Sequence, residues 1–202
     1  MNYLALDTSG KNLSVIICKD GEIFSFYDEN CGVNHSVAVM PAIEDLAKRA
    51  NFDFNTADFF ACVVGAGSFT GIRIGVSTIK ALCFAFNKPC LSVTSFDTIA
   101  YNKGQGNYLA VIDAKHNGFY VCGYKDGKVS LPPAFINREE LLTLQGEYEF
   151  LSFEKIADLQ TEVVSVLTGL IKAVEIKKDE VQSDIDALVP LYIRKSQAEE
   201  GR

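Results

Sequence analysis

At 202 residues, with 48% hydrophobic and 22% charged side chains, the chain can bury a real core as one large domain or two small ones. Its formal net charge of −7 repels phosphate backbones, which disfavours stand-alone nucleic-acid binding and leaves room only for a local basic patch within a larger complex. No apolar run reads as membrane-spanning, and the opening Met1–Asp7 lacks the basic region of a signal peptide.

The six cysteines form no C-x-x-C pair, and most sit in apolar runs where Cys acts as a small hydrophobe, so a reduced cytoplasmic protein is expected. Cys31, in a polar loop, stands apart.

In chain order, Leu4–Leu6 reads as a strand ending at Asp7-Thr8-Ser9-Gly10, followed by a second strand at Leu13–Cys18. Lys19-Asp20-Gly21 is a hairpin turn into an alternating third strand, Glu22–Tyr27. A helix is predicted over about His35–Ala50, with Val39, Ile43, Leu46, Ala47 and Ala50 on one face; Pro41 either opens its regular part or kinks it. The apolar run Phe59–Val64 reads as a buried strand, about Thr70–Phe86 as a helix, and Pro89–Thr94 as a fifth strand. Ser95 is expected to cap a short helix through Tyr101, and the strand–helix–strand portion implies a right-handed parallel crossover.

The polar stretch Lys103–Asn107 makes the best boundary, dividing the chain into 1–104 and 105–202. The second part begins as a copy of the first. Ala110-Val111-Ile112-Asp113 matches Leu4-Ala5-Leu6-Asp7 at an offset of 106, which also puts Lys125-Asp126-Gly127 on Lys19-Asp20-Gly21, with five identities between 4–23 and 110–129. An offset near half the chain implies a duplicated α/β unit. The copy then degrades: Pro132-Pro133 breaks the pattern, Asn137–Leu142 reads as a capped helix, Tyr148–Phe153 as a strand, and Ala157–Val174 as a helix.

The central motif is Gly65-Ala66-Gly67-Ser68-Phe69-Thr70-Gly71-Ile72-Arg73-Ile74-Gly75. A strand breaking into glycines before a helix can place backbone N–H groups around a phosphate, or let another backbone come close. It is neither a Walker A loop, lacking Gly-Lys-Ser/Thr, nor a dinucleotide fingerprint, because the third glycine is one position late. With Asp7, Thr8 and Ser9, the residues Gly65, Gly67 and Ser68 make a vestigial phosphate site the most that can be read, and no second glycine-rich loop follows to clamp an adenosine. Gly71 and Gly75, four apart beside Thr78, suit close helix contact, either in the core or against a partner. Asp7 and Asp113 end equivalent strands facing a presumed cleft, where acids can position a metal–nucleotide or merely cap turns. His35 has Val39 at i+4 and His116 is isolated, so no metal site and no catalytic triad is supported. Arg73 and Lys80 could meet an anion or an acidic partner, though solvated surface charge is commoner.

The motif resembles that of the TsaB (YeaZ) family, G-x-G-S-F-T-G-x-R-x-G, with Ala66 where the family usually has proline. Leu4–Ser9, His35-Ser36 with Pro41, and Pro190-x-Tyr192-x-Arg194 followed by Ala198-Glu199 extend the similarity over most of the chain. The resemblance implies an actin-like ATPase (ribonuclease H-like) α/β fold of two duplicated subdomains, each a mixed sheet flanked by helices. It implies a non-catalytic subunit for threonylcarbamoyladenosine formation at position 37 of tRNA, which heterodimerises with the catalytic paralogue TsaD and is joined by the ATPase TsaE. Threonylcarbamoyl adenylate comes from a separate synthase. Partner contact is expected from the two helices at about 35–50 and 70–86, through His35, Val39, Ile43, Thr70, Gly71, Ile74, Gly75 and Thr78. No cofactor is expected beyond vestigial ATP or ADP binding, tRNA is reached only through the complex, and a homodimer of the isolated chain stays open. The competing reading is an independent ATP-dependent kinase or ATPase using Asp7 and Asp113, with a dinucleotide-binding enzyme further behind.

Overall fold

The computed structural model describes residues 1–194. Ala198 and Glu199 of the C-terminal signature lie outside the described residues. Ten strands form two five-stranded mixed sheets. The first contains β1 (Tyr3–Asp7), β2 (Leu13–Lys19), β3 (Glu22–Asp28), β4 (Phe59–Val63) and β5 (Cys90–Val93), in the order β3-β2-β1-β4-β5. The second contains β6 (Asn107–Asp113), β7 (Gly118–Lys125), β8 (Lys128–Asn137), β9 (Glu149–Ser152) and β10 (Glu162–Val163), in the order β8-β7-β6-β9-β10. The two orders are the same, so the sequence repeat is a topological repeat. The ungapped offset is one residue out across the hairpin: Asp7 pairs with Ser14, whereas Asp113 pairs with Phe119.

β1 is buried along its whole length because it sits between an antiparallel and a parallel neighbour with both faces covered. Its side chains alternate between two cores. Leu4 and Leu6 point to the side of α1 (His35–Ala50) and α2 (Phe69–Phe86), and Tyr3 and Ala5 to the side of α5 (Val166–Lys177). The last helix, from the second half of the sequence, therefore packs on the first sheet, with Leu170, Ala173 and Val174 against Ala5, Ala61 and Leu91. α3 (Ser95–Ala100) lies on the second sheet, its Phe96 and Ile99 against Ala110, Cys122 and Leu151. α4 (Arg138–Thr143) covers the sheet's other face through Leu141.

Several local expectations are corrected. The cap of α3 is Thr94, which makes a reciprocal capping box with Asp97. The helix expected from Ala157 starts only at Val166, where the Ser165 side chain accepts from Thr168 N; Asp158 has a positive φ, and Leu159 is buried under the second sheet instead. Pro132-Pro133 do not end β8, because that strand lies on a sheet edge where missing donors are tolerated. Pro41 lies within an unbroken α1. Against the expectation that no apolar run is membrane-spanning, α2 is long and apolar enough to match a membrane span by length and composition; its Ile72, Val76, Ile79 and Cys83 are buried in the core of the first sheet.

Candidate functional site

β1 delivers Asp7, Thr8 and Ser9 to the C-terminal end of the first sheet, and the glycine turn after β4 closes over them. Gly71 and Gly75 fix how close α2 comes. A Cβ on Gly71 would overlap the Thr8 carbonyl oxygen, and one on Gly75 would lie 2.5 Å from Thr8 Oγ1 and 3.3 Å from Cys62 Sγ. Thr8 Oγ1 donates to the Gly71 carbonyl at 2.7 Å, and Ser68 N donates to the Ser9 carbonyl at 2.6 Å. Ser68 also caps α2, its Oγ accepting from Gly71 N at 3.2 Å. Two of the N–H groups a phosphate would use at this helix start are thus committed within the fold. The turn is held from its far side by α3: Ser95 N donates to the Gly65 carbonyl at 2.6 Å and Ser95 Oγ to the Ala66 carbonyl at 2.6 Å. The Gly65–Ala66 peptide is cis.

Asp7 and Asp113 do meet in one place. Both border a pocket of about 90 Å³ floored by Ser9, Gly67 and Ser95. Beside it a wider cleft of about 740 Å³ reaches past Asp113 to His35, Ser68, Ile74 and Tyr120, a size ordinary for small-molecule sites. Each acid is already engaged. Asp7 is buried and accepts from Ser9 N at 2.8 Å and Ser9 Oγ at 2.7 Å. Burial raises its pKa, against the opposing pull of those two hydrogen bonds and of His35. Asp113 accepts from Lys115 N at 2.8 Å and Lys115 Nζ at 2.9 Å. Burial again raises its pKa, but the Lys115 hydrogen bonds and charge outweigh it and leave it lowered. Lys11 and Glu154 pair across the cleft at 2.8 Å. Among the described residues no group of three or more His, Cys, Asp or Glu is placed to hold a metal ion. All six cysteines, Cys31 included, are free and buried.

The structure divides the eight residues expected to meet a partner. His35, Val39, Ile43, Gly71 and Gly75 are buried, and His35 Nε2 is hydrogen-bonded to the Asn12 carbonyl at 3.1 Å. None of the five lies on an outer helix face, a correction with a plain cause: the apolar stripe of α1 and the small-residue stripe of α2 face their own sheet, and His35 and Gly71 border the cleft. Thr70 is exposed, and Ile74 and Thr78 are half-buried. The exposed sides of the two helices also carry large apolar groups that periodicity alone does not single out. Phe84 is 83% exposed on α2, and Val37 and Met40 are 70% and 44% exposed on α1. On α2 the residues Thr70, Ile74, Thr78, Ala81 and Ala85 run down one face at helical spacing. The signal was available: Val37, Met40 and Phe84 are apolar at positions outside each helix's core stripe.

The family model described as TsaD, tRNA N6-adenosine threonylcarbamoyltransferase, matches residues 27–168. The chain is 28% identical over 221 aligned residues to the tRNA threonylcarbamoyladenosine biosynthesis protein TsaB of Bacillus subtilis, covering 98% of this chain and 96% of that one. To the TsaB of Escherichia coli it is 27% identical, over 84% of this chain and 72% of the relative. The structure of YeaZ from Pseudomonas aeruginosa superposes with a TM-score of 0.78 at 22% identity, covering 95% of this chain and 99% of that one. The repeated sheet order is the actin-like fold of that structure. With the glycine motif and the duplicated sheets in place, the chain belongs to the TsaB/YeaZ family, whose named members act in tRNA threonylcarbamoyladenosine biosynthesis.

Proposed function

We propose that the chain is a non-catalytic subunit that docks the TsaD paralogue through the outer faces of α1 and α2 and keeps that partner competent to form threonylcarbamoyladenosine in tRNA. The observation that carries this reading is the exposed apolar surface of Val37, Met40 and Phe84 on two neighbouring helices of the same sheet face. A Phe 83% exposed on a helix is costly to leave in water and suits an anchor in a partner's pocket. The internal commitments of Asp7, Ser68 and Gly71 N support the absence of an independent reaction. TsaE joins the same assembly, and tRNA is met through the complex.

The test is a binding titration of TsaD with the wild-type chain and with Phe84→Asp, which places a charge where an apolar contact is expected. Affinity should fall at least about thirtyfold, the scale of a hot-spot residue, with an unchanged unfolding temperature. Equal affinity would remove α2 from the interface.

The second reading, an ATP-dependent enzyme, is favoured by one observation: Asp7 and Asp113 border the same pocket at the mouth of a cleft of about 740 Å³. Calorimetry of the isolated chain with ATP and magnesium separates the two. Tight binding with turnover abolished by Asp7→Asn would favour the enzyme.

A further inference from the structure

The C-terminal segment 188–194 has no regular secondary structure, yet it makes contacts with both sheets and with the start of α2. Leu188 is buried in the core beneath α1 and α2. Leu191 N donates to the Val64 carbonyl at 2.7 Å, at the end of β4, and its own carbonyl lies where a side chain on Gly65 would sit. Leu191 also packs on the apolar clusters of both sheets. Tyr192 lies flat on Phe69, the first residue of α2, with ring centroids 4.2 Å apart at 17°. Its hydroxyl accepts from Arg73 Nε at 2.8 Å, and the Arg73 guanidinium sits 4.1 Å from the Phe69 ring centre. One residue on, Ile193 packs with the cluster of α3 and the second sheet. Arg194 then stacks over Phe135 of β8 at 4.3 Å.

We propose that residues 188–194 are a strap that fixes the two lobes at one closure and pins the N-terminus of α2, making Tyr192, Phe69 and Arg73 positioning residues for the docking face. Cleft closure in two-lobed folds normally changes through a few hinge residues. Here a seven-residue run crosses from the core of one lobe to the far edge strand of the other, so opening the cleft requires peeling it away. Lys11–Glu154 is a second cross-lobe tie, but it is half exposed and contributes little by itself. The strap also gives the Arg73 of the glycine motif a role. It joins the motif to the C-terminal signature, two sequence features 119 residues apart. The link from lobe geometry to partner affinity rests on the docking reading above; the strap itself does not.

The experiment places spin labels on cysteines introduced at Glu22 of β3 and Lys128 of β8, both exposed; the six native thiols are buried and free, so labelling is selective. Pulsed dipolar spectroscopy reads the distance between lobes, and circular dichroism checks folding. The wild type and Tyr192→Phe, which keeps the ring stack, should give one narrow distribution. Tyr192→Ala should broaden it and weaken TsaD binding about tenfold, the scale set by losing an aromatic stack with its hydrogen bond. An unchanged narrow distribution in folded Tyr192→Ala would overturn the strap. A broadened distribution with undiminished TsaD affinity would keep the strap and overturn its link to docking.

Discussion

Gly71→Ala is the substitution on which the packing of the glycine motif is most sharply exposed. The added methyl would overlap the Thr8 carbonyl oxygen, a backbone atom of the loop after β1 that cannot swing aside as a flexible side chain would. Relief requires α2 to move away from that loop, which lengthens the 2.7 Å hydrogen bond from Thr8 Oγ1 to the Gly71 carbonyl and the 2.6 Å bond from Ser68 N to Ser9. Overpacking a tight contact costs about 1–3 kcal/mol, and one weakened buried hydrogen bond adds about 1 kcal/mol. Alanine's better helix propensity returns up to about 1 kcal/mol. The net loss is about 1–4 kcal/mol, which at this chain length lowers the midpoint by about 2–16 °C. Calorimetric or circular-dichroism melting measures it directly, with urea titration at unchanged slope to show that stability alone has moved. An unchanged midpoint with weakened TsaD binding would refute the packing assignment and return Gly71 to the interface.

Other substitutions separate the remaining contributions. Asp7→Asn should stabilise at neutral pH, because the pKa of Asp7 is raised in the fold: its contribution is favourable at low pH and is lost as pH rises through the folded value. The gain over wild type should vanish in acid. Asp113→Asn should show the opposite sign, since Asp113 is lowered by Lys115; its stabilisation is present above the ordinary carboxylate range and disappears as pH falls through the folded value. Melting curves across pH 3 to 8, about the range that spans both, test the pair. Asp97→Ala should cost about 1–3 kcal/mol. It removes the carboxylate that accepts from Tyr124 Oη at 2.7 Å and Thr94 N at 2.8 Å and faces Lys177 Nζ at 3.4 Å, depriving a buried phenol of that acceptor and leaving Lys177 to Glu180 at 3.1 Å. A loss below about 1 kcal/mol in urea titration would show that α3 is held by apolar packing alone.

The duplicated sheets were legible because buried strands leave apolar runs, and because Lys-Asp-Gly turns recur at the same offset as the acids ending β1 and β6. The missing second glycine loop also has a structural counterpart: the link between β9 and β10 contains no helix, where β4 and β5 are joined by α2. Burial direction was harder. Periodicity placed Val39, Ile43, Gly71 and Gly75 on helix faces, but not whether each face met its own sheet or a partner. Gly71 and Gly75 suit both, and only their approach to Thr8 decides. The Phe69–Arg73–Tyr192 stack joins positions too far apart in the chain for local pattern to connect.

The measurement that bears most directly on the docking role is a reconstituted modification assay with TsaD, TsaE, the threonylcarbamoyl adenylate synthase and unmodified tRNA, run with and without the chain. Threonylcarbamoyladenosine should form only when the chain is present and should fall sharply with Phe84→Asp, while Asp7→Asn retains activity. Full modification without the chain, or activity abolished by Asp7→Asn in a folded protein that still binds TsaD, would contradict a non-catalytic docking subunit.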